Sequence, residues 1–505
     1  MKIWQLTVST ATIALMAGNA FADVTPEQVW QNWLDMSTTY GQTITTKSAE
    51  RQGDSLVITG MALSFAKDGA KVESTLDEII FKDNGDGTVA VTMSETYPMT
   101  MTMPAIDADP ASVPTTMQMT MTQSGMVMTA SGTPEATSYA FSAPSLKVQV
   151  TTTDTTDASK TLGTGDFNLT QVEGKYLVSG ASDAKKIDSD FTAEALAMSF
   201  AFADPTSATN FEMTATMADL VAKTAGTFVG MDETDFGKAL ALGFAANGAI
   251  SYGATAYDIN VTEEAGPTKI TGAAESGDLS FALDAAKIHY GGGAKGVTTT
   301  LTSAEIPFPQ VVLSYSEAAF DLAFPIGKTD APAEFNLLSK LSDLTISEEI
   351  WAMFDPAATL PRDPATLVID VTGTAKVTAN IFDPAYAESQ LDAAPGELHS
   401  LNVNALQLTV AGADLTGTGA FTFDNTDLET YGGMPKPTGK LALKLVGGNG
   451  LMDKLVALGV LPEDQAMSAR MMLSMFANPG AGEDELNSEL EFKDGGFFAN
   501  GQQLQ

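Results

Sequence analysis

From Thr43 onward the dominant hydrophobic period of this chain is two residues. Side chains of an extended strand alternate between faces, so this period calls for sheets that are apolar on one side only. Ser55-Leu-Val-Ile-Thr59, Glu78-Ile-Ile-Phe81, Thr88-Val-Ala-Val-Thr92 and Lys147-Val-Gln-Val-Thr151 are such runs, with Gly, Asp and Asn between them. Asp83-Asn-Gly-Asp-Gly87 has the composition of a hairpin turn. Thr25-Pro-Glu27 opens a helix, with Val29, Trp30, Trp33, Leu34, Met36 and Tyr40 on one stripe and Gly41 at its end. Further helical patterns are local, at 218–228, 234–246, 347–354, 384–392, 451–460 and 462–477. The expected class is mainly β, a β-rich α+β fold of extended curved antiparallel sheets with a few covering helices.

The chain also matches itself. Leu196, Met198, Phe200, Phe211, Met213, Met217, Asp219 and Leu220 align without a gap to Phe320, Leu322, Phe324, Phe335, Leu337, Leu341, Asp343 and Leu344. Gly248 and Tyr257-Asp258 then match Gly373 and Phe382-Asp383. In a third block Phe281, Leu283, Ala285, Ile288, Tyr290 and Gly292 match Leu401, Val403, Ala405, Leu408, Val410 and Gly412. This predicts a duplicated unit, with Asp219 and Asp343 capping helices where strands hand over to them. The expected organisation is a signal peptide (1–22), an N-terminal helix with a β-rich unit (23–189), repeat units at 190–305 and 310–425, and a closing helical pair with strands (426–505). Units of sheet added end to end make a long surface rather than a closed pocket.

Composition removes most chemistry. There is no Cys, only two His, and the sole Arg residues are Arg51, Arg362 and Arg470. Disulfides, thiolate metal sites and a Cys nucleophile are excluded. A formal charge of −37 repels nucleic acid. At 44 % hydrophobic the chain can still build a core. Carboxylates at this density keep a surface hydrated, and cation binding is the sharper reading of the same feature. Lys2, the apolar stretch from Ile3 to Met16 and Ala20-Phe-Ala22 read as a secretory signal. No later stretch reaches the ~18 apolar residues of a membrane helix. The mature chain is therefore expected to be exported to a Gram-negative periplasm, or secreted, without a transmembrane span.

Individual motifs yield little catalysis. Gly53-Asp-Ser-Leu56 spells the nucleophile signature of an esterase family, but neither His289 nor His399 has the required Asp three residues before it. Asp83 to Thr88 resembles a calcium loop, yet Lys82 and Met93 would occupy its first and twelfth positions. Glu483-Asp-Glu485 reads as a solvated charge run open to loose Ca²⁺ binding. Gly163-Thr-Gly165 and Gly417-Thr-Gly419 lack the third glycine of a nucleotide loop. Trp351 to Thr366 reads as a structural corner held by Arg362 and an Asp. The one candidate surface is a run of alternating methionines, Met99, Met101, Met103, Met117, Met119 and Met121. On strands these form an apolar face able to take lipid-like material, and as soft thioethers they also suit Cu(I). No catalytic residue, cofactor or cofactor-binding residue is assigned, and no metal site beyond that copper alternative.

Asp23-Val-Thr-Pro-Glu-Gln-Val-Trp30, Trp351 to Thr366, Gly450-Leu-Met-Asp-Lys-Leu-Val456 through Arg470-Met-Met472, and Gly495-Gly-Phe-Phe-Ala-Asn-Gly-Gln502 together resemble a domain-of-unknown-function family of exported alphaproteobacterial proteins, DUF family 2125. The resemblance implies no activity. More distantly, long repeated β-units ending in a strand with Asn-Gly are similar to AsmA-type envelope proteins, which implies a β-groove that shelters lipid. The expectation is a non-enzymatic envelope protein binding lipid, other apolar material or another envelope protein. The alternatives are a carboxylate-based glycoside hydrolase and Met-based copper binding.

Overall fold

A computed structural model describes residues 23–504, apart from 40, 68, 106–112, 182–183, 204–208, 230–235, 383–385 and 387–395. The expected signal segment and nearly all of the expected helix at 384–392 lie outside the described residues. Strand makes up 67 % of the chain and helix 11 %, so the fold is mainly β as its two-residue period requires.

All described strands belong to one antiparallel sheet. It begins with β1 (Thr43–Thr45) and β2 (Ser48–Gln52), lying end to end along β3 (Ser55–Lys67). β4 (Ala70–Asp83) follows, then β5 (Val89–Met93) with β6 (Thr96–Met103), and β7 (Thr115–Ser124) with β8 (Val127–Thr133). Long strands come next: β9 (Ala136–Asp154), β10 (Asp157–Ala181), β11 (Ala184–Ala203) and β12 (Asn210–Val229). The split arrangement then recurs, with β13 (Ala245–Tyr252) and β14 (Thr255–Glu263) along β12, and β15 (Gly266–Ala274) and β16 (Ser276–Leu283) along β17 (Lys287–Ser303). β18 (Val311–Pro325), β19 (Ala333–Ile346), β20 (Ala365–Val377), β21 (Gly396–Val410), β22 (Ala413–Asp424) and β23 (Lys436–Val446) continue the meander. β24 (Asn478–Pro479), β25 (Glu485–Lys493), β26 (Gly496–Ala499) and β27 (Gln502–Gln503) end it. The described helices are α1 (Pro26–Thr39), α2 (Phe236–Ala241), α3 (Glu348–Phe354), α4 (Gly448–Ala457) and α5 (Glu463–Phe476).

A crease crosses this sheet. Gly60 in β3, Gln171 in β10, Asp219 in β12, Gly296 in β17 and Asp343 in β19 all hold left-handed backbone, with φ of 54, 48, 51, 59 and 55°. At each the inward–outward alternation shifts by one, while the pairing register stays in step at Gly60, Gln171, Asp219 and Gly296 and slips only between Leu341 and Leu344 beside Asp343. Leu56 and Ile58 precede Gly60, whereas Met61, Leu63 and Phe65 follow it. Phe211, Met213 and Met217 precede Asp219, whereas Leu220 and Ala222 follow. The shift keeps apolar side chains on one face along the whole strand. Close contacts tie crease residues to the neighbouring strands. Ser316 Oγ donates to Asp343 Oδ2 at 2.6 Å. A Cβ at Gly253, in the gap between β13 and β14, would lie 3.1 Å from Asp219 Oδ2.

The crease corrects two expectations. The segment 218–228 is not a helix but the interior of β12. The three-residue step from Met217 to Leu220 across the left-handed Asp219 imitates helical spacing. Asp219 and Asp343 accordingly cap no helix; both sit inside strands. Among the described residues of 234–246 the helix is α2, and β13 starts at Ala245. The expected helices at the N terminus and near 347–354, 451–460 and 462–477 are present as α1, α3, α4 and α5.

The self-match holds in its first block. Phe200 and Phe324 are 36 % and 39 % exposed at matching places on β11 and β18, and Phe211 and Phe335 are half-buried on β12 and β19. Beyond it the equivalence is partial. Gly248 pairs with Phe281 as Gly373 pairs with the matched Leu401, but on their other sides Gly248 pairs with Thr224 and Gly373 with Phe335. Phe281 to Gly292 spans the turn between β16 and β17, whereas Leu401 to Val410 is one uninterrupted strand.

The main core lies under α1. Val29, Ile58, Ile79, Phe81, Val89, Val91 and Tyr139 are at most 1 % exposed and form one cluster. Each such side chain contributes roughly 1.5–3 kcal/mol through burial. Trp33 meets Phe81 edge-on at 5.3 Å, and Asn32 Nδ2 donates to Thr137 Oγ1 at 2.7 Å to pin the helix across the sheet. Tyr139 stacks on Tyr176 at 4.6 Å, and burial pushes its hydroxyl up to about 12.

Candidate functional site

The methionines do form a patch. Met99 lies opposite Met119, Met101 opposite Met117, and Tyr97 opposite Met121. β9 extends the patch with Val150 beside Met119 and Val148 beside Met121. Met103 lies opposite Thr115 at its end. All six methionines are half-buried, as expected of side chains on the inner side of a strand alternating with outward Thr.

This patch is one part of a longer apolar face. Register carries it from Val148 and Val150 through Phe167 to Met198, Phe200 and Phe202. Phe202 then opposes Phe211, which opposes Val261. On the other side of the crease the row runs Ile250–Leu279 and Phe281–Tyr290–Leu322. It continues through Leu337–Val371–Val403 toward Leu441 and Leu490. Exposure rises along it: Phe202 and Tyr290 are 50 % exposed, and Ile250, Leu279 and Phe281 are 43 % exposed. These five side chains were legible in the sequence only as members of the alternating pattern. Among the described residues the helices that pack substantially on the sheet are α1, on β1, β3 and β4, and α4, on β22.

The opposite face is polar and holds the one unanticipated constellation. His289 Nε2 lies 3.0 Å from Asp321 Oδ2, and Asn336 Nδ2 donates to the other oxygen of that carboxylate. Gly291 makes room for them, because a Cβ there would sit 2.9 Å from Asp321 Oδ2 and 3.1 Å from Ser280 Oγ. A furrow of about 400 Å³ runs past Ser280, Asp278, Glu317 and Asp321. Glu317 is held by Lys340 at 2.5 Å, which lowers its pKa, so both it and Asp321 are committed to partners. Among the described residues no three His, Asp or Glu gather to hold a metal ion.

The remaining motifs are structural. Ser55 opens β3 and donates to Asp54 Oδ1 at 3.0 Å, far in strand order from His289 on β17 and His399 on β21. Asp83 to Thr88 is a hairpin in which Gly85 N–H donates to Asp83 Oδ1 at 2.8 Å and Thr88 N–H to Asp86 Oδ1 at 3.0 Å. Gly163, Gly165, Gly417 and Gly419 lie inside strands; a Cβ at Gly419 would meet Lys440 O at 2.6 Å. Asp484 accepts from Gly450 N–H and Asn449 Nδ2, both at 2.8 Å, and so caps α4. Burial opposes its charge, but these donors and Arg470 hold its carboxyl below the usual range. Asp355 is fully buried. It accepts from Thr359 and Leu360 N–H at 2.8 Å and from Arg362 Nη1 at 2.7 Å, while Arg362 rests 4.4 Å over Trp351.

A family model described as an uncharacterised protein conserved in bacteria, DUF2125, matches residues 238–504. No curated protein and no solved structure matches the chain. No helix among the described residues is long and apolar enough to cross a membrane.

Proposed function

From the premise that this chain belongs to the DUF2125 family of uncharacterised bacterial proteins, we propose that it is a non-enzymatic, exported envelope protein whose apolar sheet face holds the acyl chain of a lipid. The observation that supports this is the pair of apolar rows on either side of the crease, Met99 to Val261 and Ile250 through Tyr290 and beyond, with their largest side chains half-exposed. Monomeric proteins rarely leave so extended an apolar surface to water. An alkyl chain suits it for three reasons. Each row is long and narrow, one alternating side of each strand wide. It offers hydrocarbon and thioether rather than hydrogen-bond donors. The charge of −37 penalises an anionic macromolecule but not an uncharged tail. Each methylene transferred to the face contributes about 0.8 kcal/mol.

Native mass spectrometry of protein purified from its own bacterial envelope tests this, together with titration of a dansyl-labelled fatty acid. Co-purifying acyl lipid is expected, with fatty-acid affinity at least tenfold lower in a Phe202→Asp/Phe281→Asp variant. Protein that is consistently empty and takes up no fatty acid overturns the reading, as does isolation only in complex with another protein seated on this face.

A further inference from the structure

The two apolar rows lie on opposite sides of the crease, and between them the same face carries phenols. Tyr252 follows Ile250 at the end of β13, and Tyr257 precedes Ile259 and Val261 at the start of β14. Tyr315 on β18 stands opposite the buried Val297 of β17, next to the crease residue Gly296. Alternation puts all three on the side of their apolar neighbours. Two glycines leave room for the rings to lie across the sheet. Gly277 stands opposite Tyr252, and a Cβ there would lie 2.3 Å from Tyr252 Oη. Gly272 stands opposite Tyr257, and a Cβ there would lie 2.3 Å from Tyr257 Oη. Past Gly272, Tyr257 Oη meets Thr299 Oγ1 at 2.8 Å. Burial pushes the Tyr315 hydroxyl up, and the nearby phenols of Tyr257 and Tyr252 push it the same way, so the three form one neighbourhood.

Tyrosine has an apolar ring and a polar tip, which suits a place where hydrocarbon gives way to a polar group. No cation accompanies the phenols on their side. Among the described strand residues from β12 to β19, Lys223, Lys269, Lys287, Lys295 and Lys340 each occupy the position next to an inward Ala222, Ile270, Ile288, Ala294 or Leu341 and so point the other way. There they serve the polar face: Lys269 meets Asp258 at 2.8 Å and Lys340 meets Glu317 at 2.5 Å. A carboxylate or phosphate at the phenols would lack a counter-charge in a chain of net charge −37. An ester carbonyl, in contrast, accepts from a phenol O–H, and an alcohol can donate to a phenol or threonine oxygen. The hydroxyls are spread over β13, β14, β17 and β18 rather than gathered at one point, which suits a head carrying several separated oxygens. Resting on the acyl-chain reading above, the geometry points to the crease at Tyr252, Tyr257, Thr299 and Tyr315 as the seat of the lipid's head, and to that head as an uncharged glycerol ester.

Isothermal titration calorimetry of the full chain with monolauroylglycerol and with laurate, two ligands sharing one tail, tests this. The wild type is compared with Tyr252→Phe/Tyr257→Phe/Tyr315→Phe, which keeps the rings and removes the hydroxyls. Circular dichroism checks that the variant folds. The wild type is expected to bind the glycerol ester about tenfold more tightly than laurate. In the variant that preference should vanish through weaker ester binding, while laurate affinity holds. The wild-type preference is read without any variant, so it decides the matter even where the variant does not fold. Equal affinities, or tighter laurate, overturn the choice of head and leave the acyl-chain reading standing. A folded variant that keeps the full preference, or loses both ligands in parallel, overturns the role of the phenols. No uptake of either ligand overturns the acyl-chain reading and this inference with it.

Discussion

Under α1, Ile58 and Phe81 on one apolar face are fully buried, as is Tyr139. Farther along the same face, Ile250, Phe281 and Tyr290 occupy the same kind of strand position and are 43, 43 and 50 % exposed. The two regions share alternation, sheet and crease. They differ in whether a second layer exists. The part under α1 spends its apolar face on stability, whereas from Phe202 into the region matched by the family model, residues 238–504, much of that face stays open. Apolar patterning in a strand thus specifies which way a side chain points and leaves open whether anything will cover it.

Truncation gives the largest contrast. Phe81→Ala should destabilise the protein by about 3–5 kcal/mol, the range for emptying a filled aromatic site. Phe202→Ala should cost no more than about 1 kcal/mol, since half of that side chain is already in water. Urea unfolding measures both, and similar losses would mean that the two regions are equally filled.

The two regions should also fail at opposite ends of the pH scale. Tyr139 has its pKa raised by burial to about 12, so the stability it contributes is complete below the ordinary tyrosine value and is lost as pH rises from 10 toward 12. At about 1.4 kcal/mol per unit this is roughly 2–3 kcal/mol. Tyr139→Phe should change stability little at neutral pH and reduce the alkaline loss, of which Tyr176, stacked on it and likewise raised by burial, supplies a further part. Asp484 shifts the other way. Its depressed pKa means that its contribution is full above the usual carboxylate range and disappears as pH falls through the depressed value. Hydrogen exchange should therefore show α4 opening first in acid and the α1 core first in alkali. Asp484→Asn should flatten the acid response of α4.

The smallest effect concerns the crease, which both regions share. Asp219→Gly removes a side chain from left-handed backbone and should change stability by less than about 1 kcal/mol, whereas Asp219→Val should cost about 1–2 kcal/mol. Equal effects of the two substitutions on the denaturation midpoint would mean that the crease stores no backbone preference.

Much of this was legible in the sequence, and the rest was hidden for identifiable reasons. The N-terminal helix announced itself through Thr25-Pro-Glu27 and its Trp stripe, and the Asp83–Gly87 hairpin through its turn residues. The crease was not legible. A single Asp in left-handed backbone looks like any polar residue, yet it changed the apparent period around 218–228 from two to three. The alternating methionines signalled paired strands, but the continuation of that side into Phe202, Phe281 and Tyr290 depends on register across many strands, which local spacing does not encode. The pairing of His289 with Asp321 required knowing that β17 lies beside β18.

The meander has a consequence for how such a chain reaches its native state. Each strand pairs with partners no more than three strands away along the chain, so the loops that pairing closes stay of moderate length. A polypeptide emerging N terminus first can set down α1 and its core, then add each new strand to an edge that is already in place, as a zipper closes. Where strands are split, as at β5 and β13, growth must run three strands further before the open edge is paired. The same logic makes the unfinished edge the vulnerable point throughout assembly, because until the next strand arrives it presents a free ladder of amides and carbonyls to any neighbour.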